Sequence, residues 1–162
     1  MSEIEIIFNK IKESDLVFKE SKNYKAFAIN KLCYLLYVID QNINNCIDIA
    51  NNKNLLFLTV LNQINAINRG AQFPTKDSQA ECLVININFS DLCLPRLKLD
   101  NFLFIACKFD NTDLRNTTFR NCELQGCSFS GSDLSHTDFR KSRLIGCSFH
   151  QSNLKTTKGV SL

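Results

Sequence analysis

Three groups of side chains in this sequence are of kinds that do chemistry. Asp113, Asp133 and Asp138 lie close enough in sequence to suggest paired carboxylates. His136 and His150 are the two histidines, and Cys107, Cys127 and Cys147 recur at intervals of 20. Acid-base work needs a carboxylate held within reach of a transferable proton, and covalent catalysis needs a Ser or Cys with an oriented base. The pattern supplies neither. No nucleophile elbow or phosphate loop occurs, the five glycines never cluster, and each histidine stands in a variable slot with no evident partner.

The cysteines have the most regular spacing of the three groups. Side chains 20 apart in a regular stack would form a thiol ladder. One layer apart, their Cα atoms meet the distance range of a disulfide, but parallel inward side chains do not readily reach its dihedral angle. A metal centre would need converging His or a second Cys pair. Cys107, Cys127 and Cys147, with Cys82 and Cys122, therefore read as small core residues. No catalytic residue, metal or cofactor is expected.

The elements that hold these residues follow from two different hydrophobic periods. In the first half the period is helical. Ile4, Ile7, Phe8 and Ile11 sit at i, i+3, i+4 and i+7, with Ser2 and Glu5 at capping-box spacing. Leu32, Leu35, Leu36, Ile39, Ile43, Cys46, Ile47 and Ala50 make a long second stripe, and Phe57, Val60, Leu61, Ile64 and Ile67 a third. Asn51 to Asn54 read as a turn, and Gly70 stands where helices commonly end. A helical hairpin or small bundle is expected over residues 1–75. The segment GAQFPTKDSQ, with Gly70 and Pro74, is the linker candidate.

Beyond it the period is five. Every fifth residue from Val84 to Leu154 is Val, Leu or Phe, fifteen in unbroken register. The regular part of this column is Phe109, Leu114, Phe119, Leu124, Phe129, Leu134, Phe139, Leu144, Phe149 and Leu154. Two positions before each large residue from Cys107 onward stands Cys, Ser or Thr. Each unit thus presents one small and one large residue inward, the pattern of a solenoid that turns a corner at every repeat.

These residues resemble the pentapeptide-repeat family. The matches are TDL at Thr112–Leu114, SDL at Ser132–Leu134, TDF at Thr137–Phe139 and SNL at Ser152–Leu154. The resemblance covers roughly residues 82–156 and implies a right-handed quadrilateral β-helix, so the fold class expected for the whole chain is α+β. Departures occur at the start, where Ile87, Leu92, Leu97 and Phe102 occupy the small column and Pro95 follows a core position. Residues 76–106 are accordingly expected to form a linker and an irregular first coil or cap, residues 107–156 the regular array, and residues 157–162 a tail.

Composition restricts partners. Lys plus Arg number 19 against 16 Asp plus Glu, a formal +3, with both signs scattered, which disfavours nucleic acid as a partner. The N-terminus MSEIEIIFNKIKESD lacks the basic and continuous apolar regions of a secretory signal, and no window spans a bilayer. A cytoplasmic location with free thiols is expected. If residues 20 apart stack, one outward face carries Leu83, Ile85, Leu103, Ile105 and Ile145. It reads as a seat for the N-terminal helices or as a docking or dimerisation surface. Arg120, Arg140 and Lys141 make a second candidate, for a phosphate or an acidic partner.

The function expected is that of a non-enzymatic interaction scaffold with an unidentified protein partner, self-associating through the helices or the apolar face. The family resemblance implies settings that include bacterial effectors delivered into host cells, and the Asn-, Lys- and Ile-rich composition is compatible with an AT-rich bacterial genome. It also implies an alternative, the DNA-mimicking gyrase inhibitor or quinolone-resistance factor, which requires a strongly negative rod. A third alternative is an enzyme with a site at the helix-rod junction.

Overall fold

The helical period of the first half becomes α1 (Tyr24–Asn42), α2 (Ile47–Asn51) and α3 (Lys53–Asn68), in a computed structural model that describes residues 24–45, 47–68 and 82–161. The chain divides into two compact units, Met1–Ala71 and Gln72–Leu162. The expected helix at Ser2–Ile11 and the linker candidate GAQFPTKDSQ lie outside the described residues.

Leu32, Leu35, Leu36 and Ile39 on α1 and Leu56, Phe57, Val60, Leu61 and Ile64 on α3 are buried. The two helices pack together along these stripes. Each such side chain taken out of water contributes about 1.5–3 kcal/mol. The stripe expected to run from Leu32 to Ala50 is broken, because α1 stops at Asn42 and residues 43–45 turn. The Asn42 side-chain amide donates to the Val38 carbonyl at 2.8 Å, and the Asn45 N–H to the Asn42 carbonyl at 3.1 Å. Asparagine offers the backbone these local bonds in competition with the helix, and apolar spacing alone does not reveal that.

In the second unit β1 (Cys82–Ile85), β2 (Phe102–Ile105), β3 (Glu123–Gln125) and β4 (Arg143–Ile145) pair in chain order as one parallel sheet. Cys82 pairs with Phe102, Leu103 with Glu123 and Glu123 with Arg143, an offset of 20 throughout. The bridges outside the strands keep the same offset, as in Asn88 with Lys108, Asp113 with Asp133 and Asp138 with Lys158. One coil therefore consists of four five-residue segments.

Each segment turns where a residue two beyond the core position takes a positive φ, from Asn86 at 55° to Gln151 at 56°. Asparagine fills five of these corners, at 86, 101, 111, 116 and 121, as expected for a short polar side chain that tolerates the left-handed region. The core is a column of side chains. Phe89, Phe109, Phe129 and Phe149 stack nearly parallel at 4.8, 4.9 and 5.2 Å, and Phe119 stacks on Phe139 at 5.0 Å. Phe109 and Phe119 meet edge to face at 5.8 Å. Parallel rings at the inter-strand spacing and perpendicular rings between stacks are both favourable for the aromatic quadrupole.

The expected irregularity of the first coil does not occur. Residues 82–101 hold the same register as later coils, and Ile87, Leu92, Leu97 and Phe102 point inward with 2, 4, 4 and 1 % exposure. The reason lies in what the small column does elsewhere. Thr112 Oγ1 donates to the Phe89 carbonyl, Thr117 Oγ1 to Leu94 and Thr137 Oγ1 to Leu114, each at 2.9 Å and each 23 residues back. Cys107 Sγ reaches the Val84 carbonyl at 3.4 Å in the same way. For 87, 92, 97 and 102 the corresponding acceptors would precede β1, and among the described residues no earlier coil supplies them. Large apolar groups fill the space instead.

Candidate functional surface

Inward positions are packed, so chemistry and recognition belong to the outward side chains on either side of each core residue, which recur every 20 residues as four sets, each called a face below. Three faces are polar, and on them the functional-looking groups bond to one another.

Asp113 accepts from the Arg115 N–H at 3.1 Å and from Arg115 Nε and Nη2 at 2.9 and 2.8 Å. Asp133 accepts from the Ser135 N–H at 3.0 Å, and Asp138 from the Arg140 N–H at 3.0 Å. Asn88 does the same for Ser90 at 2.9 Å. The acid or amide before the core residue thus closes a local turn over it, which is why Asp or Asn suits that slot. The Arg115 guanidinium holds the Asp113 carboxyl below the usual carboxylate range. The three aspartates are spread over two faces and engaged in the wall, not brought together as a carboxylate pair.

Arg120 and Arg140, both expected as anion contacts, converge on Asp138. Arg120 Nη2 lies 2.7 Å and Arg140 Nη2 2.8 Å from Asp138 Oδ2, and that carboxylate is 5 % exposed. Bonds first from Arg140 and then from Arg120 drive its pKa far below the ordinary value. Two guanidiniums sharing one buried carboxylate form an internal clamp. Lys141 is not part of it, since it occupies the next corner with φ 63°. His136 is likewise a corner residue, φ 60°, whose N–H donates to Thr156 Oγ1 at 2.8 Å. His150 stands outward on another face, in the same column as Ser130 and Asp110.

The cysteine ladder is buried at Cys107 and Cys127 and half-buried at Cys147, with all three thiols free. The Cys107 thiol pushes Cys127 up to about 11, and Cys127 in turn raises Cys147 well above the ordinary thiol value, while Cys107 is lowered chiefly by its bond from Cys127. Cys93 is exposed, and its Sγ lies 3.6 Å from Asp113 Oδ2. Burial and that neighbouring carboxylate raise its pKa, which makes a poorer nucleophile. Among the described residues, no group of three or more His, Cys, Asp or Glu is arranged to hold a metal ion.

The fourth face is the strand face. Leu83, Ile85 and Ile145 are 40, 49 and 43 % exposed, with Leu103 and Ile105 half-buried between them. Glu123 and Arg143 interrupt the apolar surface and pair at 3.0 Å, and Gln125 also bonds Glu123. The slot that holds Asn88, Asp113, Asp133, Asp138 and Asn153 elsewhere holds Leu83, Leu103, Glu123 and Arg143 here. Sequence reasoning identified the apolar members of this face but not the Glu123–Arg143 pair. It also missed the Asp138 clamp, in which Arg140 is a near neighbour but Arg120 comes from the preceding coil.

A family model described as the SV2A/B/C luminal domain matches residues 75–151, under half of the chain. No curated protein matches in sequence. Among solved structures, the chain is similar to the pentapeptide-repeat protein Rfr23 from the cyanobacterium Cyanothece. Identity is 18 % over 48 % of this chain and 47 % of that one, with a TM-score of 0.27. It is also similar to full-length QnrB1, a plasmid-mediated fluoroquinolone resistance protein, at 22 % identity over 44 % and 37 % of the two chains with a TM-score of 0.33. For HetL, a pentapeptide-repeat protein of heterocyst regulation from the cyanobacterium Nostoc, the values are 16 %, 49 %, 46 % and 0.24. The chain spans about half or less of the length of each. No helix among the described residues is long and apolar enough to cross a membrane.

Proposed function

With residues 82–156 a pentapeptide-repeat array, we propose that the chain is a non-enzymatic protein-interaction module, a right-handed quadrilateral β-helix that docks a protein partner on its strand face. The observation that carries this reading is the contrast between the faces. On the polar faces carboxylates and guanidiniums are bonded to one another, whereas Leu83, Ile85 and Ile145 stand exposed together on the strand face. Exposed apolar side chains gathered on one rigid surface are a usual sign of an interaction site.

The four-sided form is supported by the constant offset of 20 built from five-residue segments, and by rings ten positions apart meeting edge to face. The right hand follows the strong preference of parallel crossovers. The mechanism is presentation: the packed core fixes outward side chains on a lattice, so little ordering entropy is lost on binding. The gyrase-inhibitor alternative is disfavoured by charge, since residues 82–162 carry ten Lys and Arg against seven Asp and Glu.

The test is affinity capture from native lysate with the full chain, run against the Ile105→Asp, Ile145→Asp double variant. A protein retained by the original chain and lost from the variant is expected. Identical capture profiles would remove the strand face as the docking site.

A further inference from the structure

Asp138 engages only part of the two arginines that hold it. Arg120 donates Nε and Nη2 to Oδ2 at 2.8 and 2.7 Å, and Arg140 donates Nε to Oδ1 at 3.0 Å and Nη2 to Oδ2 at 2.8 Å. A guanidinium has five N–H donors, so three remain on each arginine, two on Nη1 and one on Nη2. Among the described residues no other group accepts from them, and the two side chains are 46 and 56 % exposed. The carboxylate, 5 % exposed, also accepts the Arg140 N–H. Two exposed guanidiniums from successive coils are thus fixed beside each other by one buried anion.

We propose that the Arg120–Arg140 pair binds the phosphate of a phosphoserine on a partner protein. The site lies off the strand face and does not depend on it. A surface arginine loses about 1.5–2 kcal/mol of side-chain freedom when it is ordered. Here Asp138 has already ordered both. A carboxylate presents two oxygens in one plane and fits one guanidinium fork. Arg120 and Arg140 stand one coil apart, about 4.8 Å along the stack. A phosphate monoester is tetrahedral, with three terminal oxygens and nearly two charges, and accepts from both arginines at once.

Charge around the pair favours a dianion. Two guanidiniums against one carboxylate leave one positive charge. Lys158 holds the register position next to Asp138 in the following coil, and Lys141 follows Arg140 at the corner. Both are exposed, and among the described residues neither forms an ion pair. The other acid on this face is Asp100, whose Oδ1 accepts the Arg120 N–H at 2.9 Å. Beyond Asp138 the chain carries five Lys and Arg and no Asp or Glu. A nucleic acid would need cations continuing along a track of phosphates. Instead the preceding set of outward positions carries Asp113 and Asp133, and the following set Glu123.

The probe is a pool of short peptides with phosphoserine at the centre and random neighbours, screened on the full chain beside the same pool with serine or glutamate at that position. Phosphoserine peptides should be retained and serine peptides not, with glutamate peptides bound about tenfold more weakly. Arg120→Lys and Arg140→Lys keep the charge and remove the fork, so each should weaken binding roughly tenfold by fluorescence anisotropy, with folding checked by circular dichroism. The double variant Lys141→Gln, Lys158→Gln leaves the Asp138 bonds intact and should weaken binding a few-fold, which tests the site without disturbing the wall. Ile105→Asp, on the strand face, should bind as the parent does. Equal retention of the serine pool, or phosphopeptide binding that none of the arginine and lysine variants weakens, overturns the site. A loss on Ile105→Asp matching that on the arginine variants would place the peptide on the strand face and overturn it too. Vesicles of phosphatidic acid and a DNA duplex are the remaining arms. If either binds more tightly than the best phosphopeptide and weakens on the same variants, the occupant is a lipid or a nucleic acid and the phosphoprotein proposal falls.

Discussion

Thr137 Oγ1 donates to the carbonyl of Leu114, 2.9 Å away and 23 residues earlier, and the Thr137 side chain is fully buried. This is the bond that makes the second inward column Ser, Thr or Cys in place of Ala or Val. Replacement by an isosteric group without a donor tests it. Thr137→Val should lower unfolding free energy by about 1 kcal/mol in urea denaturation, because the Leu114 carbonyl keeps the Thr117 N–H but loses the hydroxyl. Leu97→Val, at a position where no earlier coil of the array supplies an acceptor, should show only a packing loss. A Thr137→Val variant as stable as the parent would remove the explanation of the column.

The aromatic stacks predict a gradient along the array. Phe129→Ala opens a cavity between Phe109 and Phe149 and should cost about 3–5 kcal/mol. Phe149→Ala should cost clearly less, because Phe149 belongs to the last coil and is already half-exposed. Equal losses in the two variants would contradict the graded burial.

Asp138 gives the stability a pH dependence. Its pKa in the folded chain is far below the unfolded value of about 3.9, owing first to Arg140 and then to Arg120. Its contribution is therefore complete above about pH 4–5 and is lost as pH falls toward the folded value, where the native carboxylate takes up a proton. Asp138→Asn keeps the turn-closing oxygen but not the charge. The variant should be less stable at pH 7, and its stability should fall less steeply than the parent's between about pH 5 and 2, by denaturant titration at each pH.

Two glycines separate backbone conformation from space. At Gly126, φ 60°, an added Cβ meets nothing within 4 Å, so Gly126→Ala should cost only the left-handed penalty of about 1–2 kcal/mol. At Gly159, φ 81°, a Cβ would lie 2.6 Å from the Arg140 nitrogen and the Phe139 carbonyl carbon. Gly159→Ala should therefore dislodge the terminal segment, seen as faster amide exchange at Lys158, whose N–H bonds the Thr137 carbonyl at 2.9 Å. Matching behaviour in the two variants would mean the close approach does not matter.

How much of this was legible in the sequence depended on whether the governing interaction was periodic. The fifteen-fold core register, the change of period after residue 71 and the apolar strand face could all be read directly, because burial repeats at fixed intervals. The first coil was misread because side-chain size at Ile87, Leu92, Leu97 and Phe102 was judged against later coils. Among the described residues no earlier coil supplies these four positions with an acceptor. The Asp138 clamp was not legible, because the second arginine, Arg120, belongs to the preceding coil and bonds across the stack. The break at Asn42 was missed because Ile43 and Ile47 keep an apolar rhythm through a turn made by asparagine side chains.

The bonds from each buried hydroxyl or thiol to the coil before it also make the two ends of the array unequal in what can be added or taken away. Every such group from Cys107 onward points its proton toward chain laid down earlier. Removing the last coil takes these side-chain donors away with their own residues, but it deletes acceptors of backbone N–H groups, such as Ser142 Oγ for Cys122 and the Ser148 carbonyl for Phe129. Removing the first coil deletes acceptors that Cys107, Thr112 and Thr117 still require. Shortening the rod by a whole coil therefore strands hydroxyl and thiol donors when it is done at the amino end and backbone N–H donors when it is done at the carboxyl end.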